Sequence, residues 1–136
     1  MRLGNDATKE AIARQVLDTV AGITALFRAH AIATRRRRRV TKVISRVEIP
    51  KYETGAMIEG YVDAELDNGA AVSWLLDVSW NDEAWNVEAR LARSTKEGQE
   101  VLQELPAETT QELGDFLAGL VRTTERLLTL EPPELD

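Results

Sequence analysis

The chain has no cysteine and only one histidine, His30, among its 136 residues. Disulfides and zinc-thiolate sites are therefore excluded, and most hydrolase triads and transition-metal sites lose their usual donors. Nothing in this composition calls for an oxidising compartment. The opening residues 1–10 are polar and charged, with no apolar segment behind a basic start. No run approaches the length of a membrane span, so a cytoplasmic protein with no membrane partner is expected. Phosphate-loop, dinucleotide and nucleophile motifs are missing too, as is any paired-histidine metal motif. No catalytic residue, cofactor or metal is assigned, and a non-enzymatic role is expected.

What is present is alternation. Between residues 56 and 93 apolar and polar side chains exchange places along three successive runs. Ile58, Val62 and Leu66 share one face in the first run, and Val72, Trp74, Leu76, Val78 and Trp80 in the second. Trp85, Val87, Ala89 and Leu91 share it in the third. Period two marks strands with one buried face. Parity then tests the turns, because a slip of one residue would send an apolar set to the wrong side. It favours a bulged hairpin with Gly69 left-handed and Leu66 opposite Ala70, followed by a loop at 81–84 with Trp80 opposite Trp85. Residues 40–49 read as a further strand, with Val43, Ser45 and Val47 inward, closed by Pro50 and joined to the first run by a loop at 50–55. Pairing Ile49 with Ala56 sets Arg46 opposite Glu59 and Lys42 opposite Asp63, which is the register expected here. Residues 100–105, ahead of Pro106, are read as an edge strand.

Two helical stripes flank these strands. Ile12, Val16, Val20, Ile23, Leu26 and Phe27 recur at helical spacing, with His30 near the same face. His30 is read as a hydrogen-bonded histidine at a buried helix end. A second stripe, Leu113, Phe116, Leu117, Leu120, Val121, Thr124, Leu127 and Leu128, follows a capping-box pattern from Thr109 to Glu112. Gly114 and Gly119 interrupt it and mark places of close approach to the sheet. The expected architecture is α+β: a four- to five-stranded antiparallel meander with an N-terminal and a C-terminal helix on one face. All of residues 1–136 belong to a single domain, with 1–5 and 131–136 as flexible tails.

Three surfaces offer function. On the outward face Glu59, Asp77 and Glu88 fall side by side, with Arg46 at one end and Arg90 one row away. Ile44, Tyr61 and Leu75 form the neighbouring apolar row. A mixed-sign frame around an apolar centre suits an interaction or assembly module, and a homodimer through this face is the leading expectation. The second surface is an aromatic-lined pocket between helices and sheet, for a small apolar ligand. The third is the basic run Arg35, Arg36, Arg37, Arg38 and Arg39, an anion contact for nucleic acid or an acidic partner. The chain's net charge of -6 makes nucleic acid the least favoured of these partners.

Overall fold

A sheet whose large apolar side chains fall mainly on one side can be covered by helices on that side alone, and both helices are found there. The computed structural model of the chain describes residues 2–49 and 56–136. Helix α1 (Arg2–Arg35) leads into strands β1 (Val40–Glu48), β2 (Ala56–Leu66), β3 (Ala71–Asn81), β4 (Ala84–Thr95) and β5 (Gly98–Glu104). A short β6 (Glu108–Thr110), helix α2 (Leu113–Leu128) and a 3-10 turn (Pro133–Leu135) complete the chain. The strands form an antiparallel meander in the order β1-β2-β3-β4-β5. β6 pairs with the part of β4 that β5 leaves free, so the two make one edge strand broken around Pro106. Helix α1 lies over β1 and β2, and α2 over β3, β4 and β6, with the two helices also in contact.

Trp74 is the centre of the core. It is fully buried, its Nε1 donates to the Leu130 carbonyl at 3.1 Å, and His30 meets its ring edge-on at 4.5 Å. Val62 is its ladder partner, and Val72, Leu76, Val78, Val87, Phe27 and Leu120 belong to the same cluster, each almost wholly out of water. The hairpin after β2 is bulged as parity requires: Gly69 has φ +85°, and Leu66 N–H donates to the Ala70 carbonyl at 2.8 Å. Trp80 does stand opposite Trp85, but the ladder closes one pair further, at Asn81 and Ala84. The expected four-residue loop is thus a two-residue turn with φ +52° at Asp82 and +59° at Glu83. Two positive angles are the mark of a type I′ turn, whose twist matches that of the strands.

Several expectations are corrected. Trp80 is not in the core but 46% exposed. It is the outermost member of a line in which Phe116 stacks on Trp85 and Trp85 takes Trp80 edge-on at 4.8 Å, so α2 covers the second ring and not the third. Outward-facing Ala92 and Ser73 are buried, because they pair with Val101 and Ala92 respectively and larger neighbours, Leu75 and Arg90, flank them on the same face. Val40 packs on the core and Thr41 turns outward, the reverse of the alternation, since a bulge between Val40 and Lys42 shifts the register there. The helix expected from about residue 6 already includes residues 2–5, and its side chains at 8–15 are exposed. One continuous helix from Thr8 to Arg35 is long and apolar enough to cross a membrane by length and composition alone, contrary to the expectation that no run approaches that length. Its second half nevertheless supplies Ile23, Phe27 and Ala31 to the core.

The C-terminal end is no loose tail, because Leu135 is buried in the core and its carbonyl accepts from Arg39 N–H at 2.9 Å. Helix α2 does not use a capping box. Glu112 is its N-cap and makes no side-chain cap bond, while Thr109 Oγ1 donates to Asn86 Oδ1 at 2.8 Å, as β6 has drawn it into the sheet. Gly119 is a place of close approach, with a Cβ there only 3.0 Å from the Glu108 carboxylate, whereas Gly114 faces open space. The loop expected at 50–55 lies outside the described residues.

Two outcomes follow from this packing. Leu76→Ala should lower the unfolding free energy by about 2–5 kcal/mol, whereas Trp80→Ala should cost only about 1–2 kcal/mol, measured by urea denaturation. An equal loss at both positions would contradict the observed burial. His30 titrates in a window of its own. Burial lowers its pKa below 6.5, with Glu131 opposing and Arg37 adding to the shift, and its Nε2 is buried with no hydrogen-bond partner instead of the satisfied state expected. The unfolded chain then takes up a proton that the fold refuses, so stability should fall as pH drops below about 6.5. His30→Gln should flatten that slope between about pH 7.5 and about pH 5.5, above the range in which Glu108, held low chiefly by Arg122, begins to protonate.

Candidate interaction surface

With both helices on the inner side, the outer side of the sheet is left without a covering element among the described residues. Its chemistry is laid out by the ladder in rows that run across the strands. One row is acidic throughout, since Glu48 pairs with Glu59, Glu59 with Asp77 and Asp77 with Glu88. The next row reads Arg46, Tyr61, Leu75, Arg90 and Glu104. Beyond it come Ile44, Asp63, Ser73, Ala92 and Val101, where the buried Ser73 and Ala92 form a low floor and Ile44 and Val101 stand exposed at the two sides.

This arrangement differs from the expected one at β1. Arg46 faces Tyr61 and not Glu59, Ile44 faces Asp63 and not the Tyr61 row, and Glu48 takes the end of the acidic row. The ladder is displaced by two residues, which preserves the inward and outward sets but changes every partner. Opposite charges across an exposed pair contribute only about 0.2–1 kcal/mol. The register that forms sets Val47 beside Gly60, where the Phe27 ring occupies the space a Cβ would need, 3.1 Å away. It is also anchored at its start, because Asp67 N–H donates to the Arg39 carbonyl at 2.9 Å and Arg39 Nε reaches Asp67 Oδ1 at 3.1 Å. Burial of Phe27 and Val47 with this anchor outweighs the surface charge pairs.

Like charges in direct register repel, and the next row relieves them. Arg90 reaches Asp77 at 3.2 Å, and Arg46 comes within 3.7 Å of Glu48. Such half-exposed ion pairs are modest in energy, but they fix the arginines over the ends of the acidic row. Among the described residues, no group of three or more acidic or histidine side chains converges to hold a metal ion.

The other two surfaces are changed by tertiary contacts. Arg37 is bound to Glu131 at 2.8 Å and to Asp136 through both Nε and its terminal nitrogen. Arg39 is bound to Asp67, while Arg35, Arg36 and Arg38 are exposed. The hydrogen bonds that Arg37 donates to Asp136 and Glu131 raise its pKa further, and Arg37 in turn lowers that of Asp136. The run is therefore partly a clasp between the α1–β1 turn and the C-terminal end, a contact no local pattern announces. Of the tryptophans expected to line a ligand pocket, Trp74 is enclosed by side chains and hydrogen-bonded, and Trp80 has left the inner space. Compared with known proteins, the chain matches no family, no curated protein and no solved structure.

Proposed function

We propose that the chain is a non-enzymatic interaction module that assembles as a homodimer through the outer face of its sheet. The observation that carries this reading is the order of two adjacent rows: Glu48, Glu59, Asp77, Glu88 beside Arg46, Tyr61, Leu75, Arg90. A two-fold axis lying in the interface, between these rows and parallel to them, exchanges one row for the other and keeps the order along each. Arg46 then meets Glu48 of the second copy, Arg90 meets Glu88, Tyr61 presents its hydroxyl to Glu59, and Leu75 lies over Asp77, whose charge is held by Arg90 of its own chain. An isologous contact needs such self-complementarity. Size is consistent with it: five strands about 4.8 Å apart and about 10 residues long span roughly 800 Å², the area each partner contributes to an ordinary stable interface.

Charge reversal tests the geometry. Arg46→Glu with Arg90→Glu should sediment as a monomer, and so should Glu48→Arg with Glu88→Arg, while an equimolar mixture of the two should recover the dimer. A wild type that is monomeric at its highest soluble concentration, or a mixture that stays monomeric while wild type dimerises, would overturn this pairing. Circular dichroism separates loss of assembly from loss of fold.

A further inference from the structure

A groove of about 530 Å³ runs between α1 and β1. Its strand wall consists of the consecutive residues 43–47, and its helix wall includes Arg28, Ile32 and Arg35. Side chains of a strand alternate between faces, so consecutive residues line one groove only when it follows the strand's edge. Among the described residues β1 is the end of the sheet, with β2 as its one neighbour. Every second N–H and C=O on its other side is therefore unpaired within the ladder.

We propose that this groove binds an extended acidic peptide of a partner protein, added to the sheet as a strand alongside β1. The groove spans about 17 Å of strand, room for about five peptide residues. Backbone bonds to the β1 edge would supply affinity without sequence, and the walls would supply selection. Because α1 lies on the inner side, the peptide's inward side chains face Arg28, Ile32 and Arg35, while its outward ones lie beside Ile44 and Arg46. Arg28 and Arg35 are about 10 Å apart along the helix with Ile32 between them, which suits carboxylates flanking an apolar or small residue. Both arginines are exposed, and neither forms an ion pair among the described residues. A second copy of β1 is a poor occupant, since it would bring the same three arginines into the groove against them.

The probe is a fluorescein-labelled peptide of alternating glutamate and valine, titrated with the full chain and read by fluorescence anisotropy. We expect saturable binding, at least tenfold weaker for Arg28→Glu with Arg35→Glu, and lost when alternate peptide amides on the edge facing β1 are N-methylated. Arg36→Glu with Arg38→Glu makes the same change in net charge outside the groove and should bind as wild type does. Absence of binding, an equal loss in both double variants, or indifference to N-methylation would each overturn the proposal. None of these variants touches the outer-face rows, but the peptide shares Ile44 and Arg46 with that face, so the titration is run on the wild type and on the Glu48→Arg with Glu88→Arg variant, and binding by both shows that the groove acts whether or not the chain dimerises.

Discussion

Everything in this fold depends on keeping one parity across the sheet. Trp74, Val62, Leu76 and Leu91 reach the same interior only because each turn adds the number of residues that returns the next strand with its apolar set inward. The bulge at Gly69 and the tight turn at Asp82 and Glu83 do this by different routes, the second at the cost of two non-glycine residues at positive φ. Once the parity is kept, burying the inner face requires cover on that side alone. The outer face stays open as a consequence of the same arithmetic.

The cover is made by two unequal helices and a closure between the chain's ends. Helix α2 matches the sheet and buries nearly its whole apolar stripe, while α1 buries the second half of its own and carries the rest beyond. Leu135 and the ion pairs of Arg37 with Glu131 and Asp136 tie the C-terminal end to the turn that follows α1. Because Leu130 also accepts the Trp74 indole hydrogen, that closure reaches the middle of the core. A run of arginines that would otherwise be a solvated cluster is thereby divided between structure and surface.

Electrostatics on the open face follow the ladder. An all-acidic row is tolerable because Arg46 and Arg90 stand one row away at its two ends. The same ordering underlies the proposed two-fold pairing of the face with a second copy. At the sheet's β1 edge the charge is of the other sign, with Arg28, Arg35 and Arg46 beside unpaired backbone. Two surfaces of different chemistry are thus set on one support.

The sequence by itself determined the α+β class, an antiparallel meander of four or five strands, the bulge at Gly69, the pairing of Trp80 with Trp85 and the side of the sheet each residue of the three central strands faces. These are local consequences of period two and of turn stereochemistry. It also placed Glu59, Asp77 and Glu88 in one row, since that follows from the same hairpins. Tertiary structure alone decided how far along the sheet the helices reach, and hence that Trp80 is half exposed although it faces inward. It decided the β1 register as well, where Phe27 against Gly60 and the Arg39–Asp67 contact outweighed weak surface charge pairs. The seating of Leu135 and the capture of Arg37 join residues about a hundred positions apart, and spacing along a sequence carries no sign of such contacts. Alternation tells which face a side chain takes; what lies over that face depends on elements elsewhere in the chain.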